Sequence, residues 1–186
     1  MTPRQYLLSQ ALLLAFVPFG LGLVAVGLGT SVPLLPVELE LAIVGLVGLV
    51  PVFWLQWHKP LYVFCNGLQA LKLADLDANA QNLLAQSQNR EQRLLAILLV
   101  LLFLGVMQQI DQVSPLFAEL SPVNSVAPGS RVIGLVIASI GLVTAHAAAQ
   151  VGLNAVRVAL LKPELSEPAQ QLRPVTIVGK SLTGDS

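Results

Sequence analysis

Residues 131–151 read RVIGLVIASIGLVTAHAAAQV, one arginine followed by a run with no charged side chain. A helix needs about 20 mostly apolar residues to cross roughly 30 Å of hydrocarbon, and this run has that length. Its apolar residues are continuous and do not alternate with polar ones, which excludes the strand of a closed barrel. The segment is expected to be a transmembrane helix.

Three further runs pass the same test: YLLSQALLLAFVPFGLGLVAVGLG at 6–29, LELAIVGLVGLVPVFWLQW at 39–57 and LLAILLVLLFLGVMQQI at 94–110. Composition agrees, because 55% of the chain's 186 residues are hydrophobic and only 11% charged, with a mean hydropathy of +0.75, too oily for a soluble domain. The expected fold class is all-α, a polytopic integral membrane protein with four transmembrane helices. The first run is longer than a signal-peptide core and has no clear small-x-small cleavage site, so it is read as a retained span.

Charge distribution orients these spans. Arg4, Lys59, Lys72, Arg90, Arg93, Arg157, Lys162, Arg173 and Lys180 fall on one side, and Arg131 alone of the ten cations falls on the other. The positive-inside rule then puts both termini and the central connection in the cytoplasm or a stroma-like compartment. Tyr6, Trp54, Trp57 and Tyr62 cluster at the same expected interface, where amphipathic rings prefer to sit. The formal net charge of zero gives no sign of a nucleic-acid partner.

The connections differ in character. TSVPLLPVE, between the first two spans, is short and proline-rich, as a tight antiparallel hairpin requires. QVSPLFAELSPVNSVAPGS, on the same outer side, holds Pro115, Pro122 and Pro128, which oppose regular structure; Leu116, Phe117 and Leu120 are expected on the membrane surface. The inner connection, 58–93, repeats Leu61, Phe64, Leu68, Leu71, Leu76, Leu83 and Leu84 at roughly helical steps, an amphipathic pattern. The four spans and this connection form one expected domain, 1–161. Residues 162–186, with Pro163, Pro168 and Pro174 among scattered charges, are expected to be a disordered cytoplasmic tail in which only PVTIVG has strand character.

No phosphate-binding glycine loop, H-E-x-x-H, C-x-x-C or G-x-S-x-G occurs, and the single cysteine, Cys65, excludes an internal disulfide. No Asp, Glu, Lys or Arg lies in the middle of a span, where ion-coupled transporters usually keep one. The expectation is therefore a chain that is not an enzyme and carries no metal site.

Helix packing gives the more informative pattern. Gly134, Ala138, Gly141, Ala145, Ala148 and Gly152 recur every three or four residues and make a small-residue seam for close approach of another helix. Ala42, Gly45 and Gly48 make a lesser seam in the second span. Such seams serve packing within the bundle or against another membrane protein. His146, Gln150, Asn154 and Arg157 form a polar stripe on one face, which from Gln150 onward is leaving the membrane. His146, inside it, has three readings: a hydrogen bond across a helix interface, an axial ligand to haem iron or chlorophyll magnesium, or a proton carrier without a carboxylate partner.

Together these features predict a small accessory, assembly or scaffolding protein in the lipid bilayer. It would meet a larger membrane complex through the fourth-span seam, the amphipathic connection and the tail. A tetrapyrrole-binding subunit using His146 and a non-catalytic transporter subunit are the alternatives.

Overall fold

The computed structural model describes residues 3–30, 32–58, 90–118, 131–160, 175–177 and 180–182. The elements are α1 (Pro3–Ala11), a 3₁₀ turn (Leu12–Ala15), α2 (Phe16–Leu28), α3 (Val37–His58), α4 (Arg90–Ala118), α5 (Arg131–Leu160), β1 (Val175–Ile177) and β2 (Lys180–Leu182). Among the described residues four helical segments are long and apolar enough to cross a membrane: Gln5–Leu28, Val37–His58, Arg90–Phe117 and Arg131–Leu160. The chain is a multi-pass membrane protein whose spans are all helical, as its apolar runs predict.

The first span is interrupted where its sequence dictates. Pro18 has no N–H for the carbonyl of Leu14 and its ring crowds that carbonyl, so the turn just before it tightens to 3₁₀ and α2 starts afresh at Phe16. Its far end closes on Gly29, whose N–H donates to Ala25 O at 2.9 Å, and on Thr30, whose hydroxyl donates to Gly27 O at 2.7 Å.

The third span corrects the expected boundary. Helix α4 continues through Pro115 to Ala118, so Pro115, Leu116 and Phe117 are helical rather than part of an irregular loop. Proline at 115 leaves the carbonyl of Asp111 without its usual donor, and the Ser114 hydroxyl supplies one at 2.8 Å. At about 1.5 Å per residue this helix is roughly 43 Å long, more than the hydrocarbon alone requires. Helix α5 likewise runs nine residues beyond the expected end at Val151, carrying Gln150, Asn154 and Arg157 within it.

The chain divides into two compact units. One, the terminal unit, comprises Met1–Leu14, Trp54–Ile97 and Ala149–Ser186; the other, the loop unit, comprises Ala15–Phe53 and Leu98–Ala148. The loop unit has an apolar core of Val24, Val44, Phe103, Met107, Ala138 and Leu142, and the core of the terminal unit includes Tyr6, Leu7, Ala96, Ala155 and Val158. Large exposed side chains such as Phe19, Leu46, Leu98, Leu101 and Val136 lie on the helix surfaces that lipid covers.

Beyond the spans, β1 and β2 pair antiparallel, with Val175 opposite Leu182 and Ile177 opposite Lys180. The strand foreseen in PVTIVG therefore finds its partner in the chain's own next residues. The rest of the expected disordered tail, and the amphipathic connection between His58 and Arg90, lie outside the described residues.

Candidate functional site

Three features concentrate the chemistry of the spans: a small-residue seam, a buried ion pair and a set of buried carboxamides. Each follows from how the helix faces are written.

In the loop unit, the seam of α5 is filled by α2. A Cβ added to Gly20 would lie 2.6 Å from Gly141 O and 2.7 Å from Ala145 N, and one added to Gly141 would lie 2.6 Å from Gly20 O. One turn-pair further on, Gly27 meets Gly134 and Ala138 in the same way. The glycines thus let two backbones touch, the main source of helix association where surrounding lipid is as apolar as leucine. Gly48 of α3 takes Leu142 of α5 into its missing side-chain volume, with Leu142 Cδ2 2.6 Å from where a Cβ would stand. Gly45 faces Met107 and Leu104, while Ala42, the third member of the lesser seam, is exposed.

His146 is fully buried in this unit. Its ring centroid is 5.4 Å from that of Phe103, tilted by 53°, and it hydrogen-bonds the backbone of Gly48. A contact with the backbone of a neighbouring helix is what the reading of His146 as an imidazole bonded across a helix interface expects.

At the end of the loop unit that holds the chain's tight connection, Glu40 and Arg131 form a buried ion pair that spacing along the chain does not reveal. Arg131 Nη2 is 2.6 Å from Glu40 Oε2 and Nε donates to the same oxygen at 2.8 Å, with both side chains excluded from solvent. Nη1 donates to the carbonyls of Leu28, at 2.5 Å, and Thr30, at 2.8 Å. The other carboxylate oxygen of Glu40 accepts from the backbone N–H groups of Leu34, at 2.9 Å, and Leu35, at 3.2 Å. One arginine therefore caps the C-terminal end of α2, pairs with the first turn of α3 and itself begins α5. Such a pair survives burial only when its remaining donors and acceptors are satisfied, as they are here. Asp111, near the end of α4, lies within reach of the charges of Arg131, Glu40 and Glu38.

In the terminal unit each span contributes one buried glutamine: Gln10, Gln56, Gln92 and Gln150, with Asn154 also buried. Gln92 Nε2 donates to Gln56 Oε1 at 3.0 Å, joining α4 to α3, and Gln150 Nε2 reaches Ala96 O at 3.4 Å, joining α5 to α4. Arg157 pairs with Glu91 at 2.8 Å, and its Nη2 donates to Asn154 Oδ1 at 3.1 Å. Gly152, the last member of the seam, lies in this unit against Leu14, whose Cγ stands 2.6 Å from where a Cβ would be. Of the polar stripe, Gln150, Asn154 and Arg157 all hold neighbouring residues.

The sequence reading named the α5 members of these groups and missed Gln10, Gln56 and Gln92. Their signal was present: each is a carboxamide placed toward one end of an apolar run, where a headgroup-facing residue is the ordinary interpretation.

A family model described as low-complexity tail membrane protein-like matches residues 5–183. The chain belongs to this family. No curated protein and no solved structure matches it. Among the described residues no group of three or more His, Cys, Asp and Glu side chains is placed to hold a metal ion.

Proposed function

We propose that this family member is a non-enzymatic membrane scaffold, an accessory or assembly component that presents its non-spanning segments to a larger membrane complex. The observation that carries the reading is the use made of buried polar groups. Glu40 and Arg131 bind each other and helix ends, Gln92 binds Gln56, Gln150 binds a backbone carbonyl and His146 bonds the backbone of Gly48. Every one of these interactions ties one part of the chain to another, which is the chemistry of cohesion.

The seam along α5 is engaged by α2 and, at Gly152, by Leu14. This shifts the contact surfaces of the scaffold from the seam to the connection between the second and third spans and to the tail. Nine of ten Lys and Arg residues flank one side of the spans, which supports placing these segments and both termini in the cytoplasm.

Purification in a mild detergent, followed by native electrophoresis and mass spectrometry, tests the proposal. Co-migration with another membrane protein is the expected outcome, and a lone monomer under several mild conditions overturns it.

A further inference from the structure

The cation-rich end of the terminal unit has a composition that internal cohesion does not use up. Helix α3 ends in Trp54, Trp57 and His58, and the third span begins with Arg90, Glu91, Gln92 and Arg93. Gln92 turns inward to Gln56, so Arg90 and Arg93, three residues apart, share the opposite flank. Arg90 is exposed, and the guanidinium of Arg93 sits 5.1 Å from the centroid of the Trp57 ring. Trp54 is 64% exposed on the lipid side and lies 4.0 Å, ring to ring, from His58, whose Nδ1 is 3.1 Å from the Trp54 carbonyl. Glu91, the acidic residue in this turn, is paired with Arg157 at 2.8 Å.

These residues stand at the ends of two spans, at the depth of lipid headgroups. A tryptophan fixes an arginine there by cation–π contact, and a guanidinium presents parallel donors that match two oxygens of a phosphate. The carboxylate of this turn, Glu91, pairs with Arg157, so among the described residues Arg90 and Arg93 set the sign of this turn. We propose that Arg90, Arg93 and Trp57 form a binding site for the phosphate of an anionic phospholipid headgroup. The site does not depend on which compartment this end faces, nor on the scaffold reading.

Trp54 and Trp57 are the chain's two tryptophans, so fluorescence reads the site directly. The full-length protein is reconstituted into phosphatidylcholine bilayers in which a fixed fraction of lipid is either brominated phosphatidylglycerol or brominated phosphatidylcholine. Stronger quenching by the phosphatidylglycerol is expected. Each arginine near an anionic surface raises affinity about five-fold, so Arg90→Gln with Arg93→Gln should lower the preference by about 25-fold. Arg90→Lys with Arg93→Lys keeps both charges but loses the paired donors, so it should retain only part of the preference.

Quenching by brominated phosphatidylcholine reports that every variant is inserted and folded around its tryptophans. Equal quenching by the two lipids in the native protein, or a preference unchanged in the glutamine variant, would overturn the proposal. So would recovery of fluorescence by inorganic phosphate beyond that given by sodium chloride of equal ionic strength, which would make free phosphate the ligand.

Discussion

Replacing Arg131 by methionine removes one side chain and strands several partners. Glu40 loses both of its bonds from the guanidinium, at 2.6 and 2.8 Å, and keeps a buried charge with only the Leu34 and Leu35 N–H groups around it. The carbonyls of Leu28 and Thr30 lose their donor at the end of α2. Breaking a buried pair from one side costs about 3–5 kcal/mol, most of it from the uncompensated charge. Glu40→Gln strands the other member, a buried guanidinium left with the Leu28 and Thr30 carbonyls and an uncharged amide oxygen, and should cost a similar amount, about 3–5 kcal/mol. In the double variant no charge is left buried alone, so its loss should be smaller than the sum of the single losses by roughly 1–3 kcal/mol. Unfolding in mixed micelles, followed by tryptophan fluorescence, gives all three values. An Arg131→Met loss below about 1 kcal/mol, or strict additivity in the double variant, would refute the Glu40–Arg131 ion pair as a buried and coupled unit.

Three other outcomes follow from the same contacts. Gly141→Leu or Gly20→Leu should force the α2 and α5 backbones apart and lower stability by about 1–3 kcal/mol or more, whereas Gly22→Ala and Gly105→Ala, which meet nothing within 4 Å, should be neutral or slightly stabilising; thermal melting in detergent separates the two classes. Gln56→Leu should cost about 1–3 kcal/mol by leaving the Gln92 amide buried without its side-chain acceptor, and adding Gln92→Leu should recover much of the loss in the same melt. His146→Ala should cost about 0.6–2 kcal/mol, with the same colourless absorption spectrum before and after the change; a visible band lost on substitution would turn the buried imidazole into a ring ligand.

The spans were legible because an apolar run long enough for the bilayer has few other uses, and all four were found within a few residues at most ends. The exceptions have local causes. Pro115 sits so near the end of α4 that the single hydrogen bond it removes is made good by Ser114, and the helix passes through a residue that reads as a breaker. Pro18 acts more strongly near the middle of its run, and produces the 3₁₀ turn. The seam on α5 was visible from spacing, yet spacing names no partner; only the close approaches at Gly20 and Gly27 place α2 against it. Glu40 and Arg131 are separated by 91 residues and each lies in the first turn of a helix, so both look like ordinary headgroup charges until the fold brings them together. His146 attracts chemical readings because histidine is rare in lipid, while of the glutamines that bond the terminal unit only Gln150 stands out in the sequence, as a residue leaving the membrane.

The central claim is that the spans hold themselves together and that partners meet the chain elsewhere. Native mass determination of two proteins expressed in the same membrane tests it: the full chain, and a chain ending at Leu160 in which residues 59–89 are replaced by a glycine-serine linker. The full chain is expected to carry another protein, and the stripped chain to run as a folded monomer. Equal capture by the stripped chain would contradict the account, because the partner would then be held by the helices themselves.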